Sequence, residues 1–383
     1  MTTIALLNRY TFSPEVREAA EQLGFAVAPF QTDTELHELL ASRPVAMVLD
    51  INFHAEFRRE AVNRQIPYTV WSADSGMALR MTDDGPFRPE DKFFLFDQAD
   101  VAAARELHDQ VWYLPFSVGD SFLRAPRRDG FTADVAIVMN SYVNTARQAE
   151  ETLRAETRKA TDPTVRARLV LAGEISKLLV AQHLNLFTRD RLADFLTEAI
   201  RACNVNPFVD EPAAQERFLR DIGQILSWQQ RLVCVRTVAE TGCRVVLYGD
   251  EYWEKAIASY PNVRFYGTAG YASLPELYNQ VRISINLTQI QNLSSIPQRI
   301  YHLLAAGALA LTNGGEPLTE LFQSERHLAL FTNWKSLRAQ LWHYLQNDDL
   351  RYRVALEGHQ EFCRHHRMTD RLAFLFQTCR LPA

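Results

Sequence analysis

The chain has 383 residues, of which 47% are hydrophobic and 23% charged, so it can bury large cores and has the length of two ordinary domains. Its formal charge is −5 at pH 7, from 41 Lys and Arg against 46 Asp and Glu. That balance argues against a general binder of nucleic acid or anionic membrane and leaves room only for a local basic pocket.

Residues 1–116 alternate strands and helices. Strands are expected over Thr3–Leu7, Phe25–Pro29, Val45–Asp50, Tyr68–Ala73, Lys92–Asp97 and Val111–Phe116. Helices are expected from Ser13 to about Gln22, stopped by Gly24, and over Glu35–Ala41, Glu56–Asn63 and Val101–Leu107. Short apolar runs separated by amphipathic helices imply a parallel, doubly wound sheet. The first turn, Asn8-Arg9-Tyr10-Thr11-Phe12, has no GxGxxG, which weakens a dehydrogenase reading. Polar residues that gather at carboxyl ends of strands in such a sheet are Asn8, Arg9, Asp50, Asn52, His54, Asp74, Ser75 and Asp97. Many of these close turns or cap helices; His54 or Asp74 is the choice for a general base toward a hydroxyl acceptor.

Leu114 to about Gly130, with prolines and a run of arginines, reads as a linker, and a domain boundary falls near residue 128. Ala133–Met139 starts a new strand. From Tyr142 to about Gln230 long charged helical segments take over, including Ala146–Lys159, Val165–Leu186 and Arg189–Cys203. This reads as a helical insertion (about 142–230), or as a platform for a partner or acceptor. Alternation returns with strands Arg244–Tyr248, Val263–Tyr266, Ile283–Leu287, Leu309–Thr312 and Ala329–Phe331, a second parallel sheet. Helices at Ser336–Leu345, Asp349–Phe362 and Thr369–Thr378 close the chain.

The stretch from Ile283 to Phe322 holds the clearest candidate site. Ser295 and Gln298 form a capping-box pattern, Pro297 is tolerated in the first turn, and the helix ends near Gly307. Arg299 and His302 share one face, because Ile296, Ile300, Leu303 and Leu304 claim the other. A helix start after a polar loop at the carboxyl end of a strand suits phosphate, and Arg299 adds a forked cation. The plainer alternative for Arg299 is a surface arginine. Gly249 and Gly267, after Tyr248 and Tyr266, would let a base or ribose approach the backbone, or simply make turns. Glu316 stands either near hydroxyls of a bound ligand or merely at a favourable helix start.

Cys203, Cys234, Cys243, Cys363 and Cys379 show no CxxC spacing and read as reduced thiols. Asp83-Asp84 superficially resembles a metal-binding acidic pair but sits in a turn-rich loop. The Arg364-His365-His366-Arg367 cluster lacks a second ligand group and reads as a hinge or surface. No metal site is expected. MTTIALLNRY has no basic n-region before an apolar run, and no apolar run approaches a membrane span, so a soluble cytoplasmic protein is expected.

Several stretches resemble, in order, the CgeB-like (spore-maturation-type) group of GT-B glycosyltransferases: Val246-Leu247-Tyr248-Gly249 with Trp253, Asn262–Gly267, Leu274–Tyr278 with Ile285-Asn286-Leu287, Pro297–Tyr301 with Leu304–Gly307, and His366 with Arg371. The resemblance covers residues 131–141 and 240–383. It implies two Rossmann-like doubly wound domains facing a cleft: acceptor domain 1–128, donor domain 129–365, and a C-terminal helix, 366–383, packing back on the first. It implies metal-independent transfer of a sugar from a nucleotide-sugar co-substrate to a carbohydrate, lipid-linked or protein acceptor, with no nucleic-acid partner and peripheral membrane association left open. Residues implied to meet the donor are Gly249, Tyr266, Gly267, Ser295, Gln298, Arg299, His302 and Glu316. Two positions depart from the group. His302 stands where a ribose-binding glutamate is usual, and Met139-Asn140 where a glycine is expected. Alternatives are an inactive binding or scaffold protein of the same fold, or a nucleotide-sugar epimerase.

Overall fold

A computed structural model describes residues 2–81, 86–159, 161, 163–181, 189–209, 211–289 and 294–381. Asp83-Asp84 lies outside the described residues. The first sheet has strands β1 (Thr3–Leu7), β2 (Ala26–Phe30), β3 (Met47–Ile51), β4 (Tyr68–Trp71), β5 (Lys92–Leu95) and β6 (Val111–Tyr113) in the order β2-β1-β3-β4-β5-β6. The second has β7 (Ala133–Val138), β8 (Val245–Tyr248), β9 (Val263–Phe265), β10 (Val281–Asn286), β11 (Leu309–Thr312) and β12 (Ala329–Leu330) in the order β12-β11-β10-β7-β8-β9. Every pairing is parallel. The order reverses between β1 and β3 in one sheet and between β7 and β10 in the other, the positions where open α/β sheets leave a crevice.

Several strands stop earlier than their apolar runs suggest, for local reasons. β5 ends at Leu95 because Asp97 caps the next helix, accepting from Ala99 N at 2.9 Å and Asp100 N at 3.4 Å. β6 ends at Tyr113, two residues before Pro115, which has no N–H to give the ladder. Ser295 does not cap a helix. The helix Gln298–Ala305 has Pro297 at its N-cap position, and Ser295 forms an antiparallel bridge with Asp97 instead.

The helical segment comprises Val143–Lys159, Pro163–Ala181, Arg189–Cys203 and Pro212–Ala239. It has its own core around Leu153, Leu171, Phe195 and Phe218. The last helix, of 28 residues, runs on past Gln230. Its final turns carry Cys234, Val235 and Val238 into the core beneath β7 and β8. One rigid rod therefore joins the helical arm to the second sheet.

The stretch after Leu114 is more than a linker. Val118 and Phe122 are buried with Ile300, Leu303 and Leu304, and Arg124 N donates to Ala305 O at 3.0 Å. Gly307, at φ 64°, lets this stretch pass, since a Cβ there would lie 2.6 Å from Arg124 O. Beyond it the helix Met368–Thr378 returns to the first sheet, burying Met368, Leu372, Leu375 and Phe376. The Arg364–Arg367 cluster is the crossing point. Ser117 Oγ donates to His366 O, and Arg367 Nε donates to Asp120 at 3.1 Å.

The room at Gly249 is taken by the chain itself. A Cβ there would sit 2.2 Å from Met139 O and 2.8 Å from the Trp253 indole. Gly249→Ala is expected to lower stability by about 2–3 kcal/mol, because backbone cannot yield as a side-chain tip can. Thermal denaturation checks this; an unchanged midpoint would return the glycine to a ligand-contact role.

Candidate active site

The two carboxyl edges face each other and touch. Asp97, after β5, accepts from Ser294 Oγ at 2.6 Å and Ser75 Oγ at 2.8 Å, and Gln98 N donates to Ser294 O at 2.9 Å. Glu15, buried, takes Tyr271 OH at 3.0 Å across the same seam, together with Gly119 N and Ser121 Oγ. The loop before helix Gln298–Ala305 is thus held partly by the opposite domain.

Between β7 and β10 the reversal of strand order opens a cavity of about 290 Å³. The end of β7 and the loop after it supply Val138, Asn140 and Tyr142, and the end of β10 and the loop after it supply Asn286, Leu287, Thr288 and Gln289. Helix Leu274–Asn279 adds Leu274 and Tyr278, and the start of helix Gln298–Ala305 adds Pro297, Gln298, Arg299 and His302. Arg231 reaches in from the long helix of the arm. A larger hollow of about 440 Å³ lies among strand starts such as Met47, Thr69 and Lys92. Ligands of this architecture bind at carboxyl ends, so the smaller cavity is the better candidate.

The cavity is cationic and rich in hydrogen-bonding groups without protein partners. Neither Arg231 nor Arg299 forms an ion pair among the described residues. Arg231 is 4% exposed; it donates to Asn140 O and lies over the Tyr142 ring, 4.2 Å from its centroid. Burial first, and the repulsion of Arg299 among lesser causes, pull its pKa down to about 10, so it stays charged. Asp250, whose field Arg231 feels, already accepts from Ser141 N at 2.6 Å and Ser141 Oγ at 2.9 Å. Tyr278 OH and His302 Nε2 are buried without a protein partner. Burial raises the Tyr278 pKa, against the pull of Arg299.

His302 stacks on Phe122 with ring centroids 4.4 Å apart. Burial, then the neighbouring Arg299, hold its pKa down to about 3, so the imidazole is neutral. Because the folded value lies below the unfolded one, this group's contribution to stability falls as pH drops below about 6.5. Going from pH 7 to pH 5 is expected to cost about 2 kcal/mol through His302. Urea unfolding at the two pH values checks this: His302→Gln should abolish that part of the loss, and an identical loss in the variant would contradict it.

On the opposite edge, His54 and Asp50 form a pair. His54 Nδ1 lies 3.0 Å from Asp50 Oδ1, and its side chain is 19% exposed. Asp50 is buried and also accepts from Tyr68 OH and from His54 N at 3.0 Å. Burial outweighs these bonds and pushes its pKa up to about 6. Asp74 is exposed and accepts from Asn52 Nδ2 at 2.9 Å, a contact that ties the loop after β4 to the loop after β3.

The residues singled out from sequence therefore fall into four sets. Gln298, Arg299 and His302 come together in the cavity. His54 and Asp74 stand on the facing edge. Ser295 is buried at the seam with Asp97. Gly249, Tyr266, Gly267 and Glu316 follow strands of the second sheet but do not line the cavity. Tyr266 is exposed and stacked on Tyr248, centroids 5.2 Å apart, and Gly267 has open space around it. Sequence reasoning missed Arg231, Tyr278 and Tyr142. The available signal was an arginine inside an apolar stretch, Leu232-Val233-Cys234-Val235 following it directly.

Among the described residues no group of three His, Cys, Asp or Glu side chains is placed to hold a metal, and no helix is long and apolar enough to cross a membrane.

Residues 230–377 match a family model described as glycosyl transferase-like. No curated protein matches the sequence. Among solved structures, sucrose-phosphate synthase from Thermosynechococcus elongatus aligns with a TM-score of 0.58 at 9% identity, covering 98% of each chain. Anabaena Alr3699/HepE in complex with UDP and glucose gives 0.57 at 8%, over 99% of this chain and 100% of that one. T4 phage BGT in complex with UDP and Mn2+ gives 0.53 at 11%, over 99% and 100%. At such identities the likeness is one of fold. The chain has the two-domain GT-B fold, and its residues 230–377 are similar to the glycosyl transferase-like family.

Proposed function

We propose that this chain transfers a sugar from a nucleotide-sugar donor, bound in the cavity between β7 and β10, to a hydroxyl acceptor held on the first domain. The observation that carries this reading is Arg299, a cation with no ion-pair partner among the described residues, set at the strand-order reversal of a glycosyl transferase-like domain. A phosphate leaving group gains negative charge as the glycosidic bond breaks, and a cation already in place stabilises it without reorganisation. His54 is the base. Its Nε2 takes the proton of the acceptor hydroxyl as that oxygen attacks the anomeric carbon, and Asp50 orients the ring through Nδ1–H. The bonding pair between the sugar and the phosphate oxygen leaves with the phosphate.

The motif order around Tyr248-Gly249, Pro297–Tyr301 and His366 with Arg371 supports the CgeB-like group as the finer assignment. The functional division into 1–128 for acceptor, 129–365 for donor and 366–383 as returning helix, metal-independent chemistry and a cytoplasmic location belong to the same reading, as do Gln298 and His302 near the donor.

One observation favours a second reading, a shell that binds a donor without turning it over. His302 is neutral and stacked on Phe122, so it offers one hydrogen bond where a carboxylate would chelate two ribose hydroxyls. Calorimetric titration with UDP-, GDP-, dTDP- and CMP-sugars, followed by assays of donor hydrolysis and transfer, decides between them. Binding with turnover supports the enzyme, and binding without turnover across acceptors supports the shell. No binding to any donor sinks both.

A further inference from the structure

We propose that Arg231, carried by the helical arm, is a second phosphate-binding residue, and that Arg231 and Arg299 together fit the cavity to a diphosphate rather than a single phosphate. This rests on the reading of the cavity as a donor site and names the part of the donor that the arm recognises.

Four observations carry it. The arginine is buried, yet its protein hydrogen bonding among the described residues is a single donation to Asn140 O, which leaves the remaining N–H groups of the fork for the cavity. It shares that cavity with Arg299, and the two cations repel each other where no carboxylate pairs with either. A buried cation without a counter-charge is costly, and a second one beside it raises the cost, unless the site is made for an anion. Finally, Tyr278 OH and His302 Nε2, both buried and unpartnered, line the same hollow, so hydrogen-bonding groups are present as well as charge. A purely structural arginine in such a place would be ion-paired; Asp250, whose field reaches Arg231, forms no ion pair with it among the described residues, its Oδ2 being held by Ser141 N and Oγ while its Oδ1 is buried without a partner.

The position follows from the fold. Helix Pro212–Ala239 is a continuous rod whose first half belongs to the arm's core and whose last turns lie under β7 and β8. Arg231 sits where the rod passes the mouth of the β7 loop, and Tyr142, at φ 63°, turns its ring beneath the guanidinium. Anything that shifts the arm along this rod would move a donor-site cation, so the arm is part of the donor site and not an appendage.

The test uses inorganic pyrophosphate and orthophosphate as probes, which removes any dependence on the unknown base and sugar. Wild-type protein is titrated with both by calorimetry, and apo unfolding midpoints are recorded for wild type, Arg231→Met and Arg231→Lys. Wild type should bind pyrophosphate at least about tenfold more tightly than orthophosphate. Arg231→Met should lose most of that preference while its apo midpoint stays level or rises, since an uncompensated charge has been removed. Arg231→Lys, keeping the charge but not the fork, should fall between. Equal binding of both anions by wild type, or a variant that keeps the preference, overturns the proposal. So does a lowered midpoint with unchanged binding, the mark of a structural arginine. If Arg231→Met does not fold, Arg231→Lys decides alone by whether the preference shrinks. Pyrophosphate binding that depends on Arg231, in a protein that binds no nucleotide-sugar, would leave this inference standing and reject the glycosyltransferase reading.

Discussion

Replacing His54 by alanine is expected to lower kcat by about 10²- to 10⁴-fold with little change in donor KM, the range for loss of a positioned general base. The basis is the pair itself. Asp50 is buried behind His54, anchored by Tyr68 OH and by the His54 backbone N–H, and it lies against Nδ1, so that in the proposed reaction Nε2 is the nitrogen left for the acceptor. Asp50 also sets the pH dependence. Its pKa is pushed up to about 6, so activity should fall as pH drops through about 6 and Asp50 takes a proton. The stability sign is opposite. A carboxyl whose folded pKa lies above the unfolded value of about 3.8 destabilises the fold once ionised, by about 3 kcal/mol above pH 6. Asp50→Asn should therefore give a fold no less stable at pH 8 and a much slower enzyme. Steady-state kinetics over pH 5–9 check both points. A His54→Ala enzyme of unchanged kcat would remove His54 from the chemistry and turn attention to Asp74.

Much of the architecture was legible because it rests on local signals. β1 and β11 run over the residues their apolar runs mark, Thr3–Leu7 and Leu309–Thr312. The apolar positions Ile300, Leu303 and Leu304 fixed which face of their helix points inward, and Arg299 and His302 do share the other side. What the pattern could not carry was distance along the chain. Ser295 has the spacing of a helix cap, but Asp97, far off in sequence, engages it across the seam, and a tertiary partner outweighs a local one. His302 reads as the exposed side of an amphipathic helix, yet Phe122, from a stretch that looked like a linker, covers it. Arg231 lies on the longest helix, and nothing nearby in sequence reveals that its neighbours are Asn140, Tyr142 and Arg299. Gly249 shows the converse: the glycine was visible, but the reason for it is Met139 O and Trp253.

Arg299→Ala is expected to weaken donor binding by about 3 kcal/mol, more than a hundredfold in Kd, as when one partner of a desolvated charge pair is truncated. Two features put the effect at that level rather than at the value of about 1 kcal/mol or less typical of an exposed ion pair. Arg299 is partly buried in a cavity walled by Leu274, Leu287 and Pro297, where water screens poorly. It also has no carboxylate to fall back on, so its interaction with phosphate replaces no existing ion pair. Removing it leaves Arg231 as the remaining cation of the cavity and relieves the repulsion between the two, so part of the lost affinity is recovered through Arg231. The double variant Arg299→Ala with Arg231→Met should then lose more than the sum of the single losses, since each cation partly compensates for the other. Nucleotide titrations of the four proteins in this cycle, repeated at low and high salt, give the coupling directly. Additive losses would mean that the two arginines act on separate groups, and an unchanged Kd for Arg299→Ala would show that the phosphate lies elsewhere.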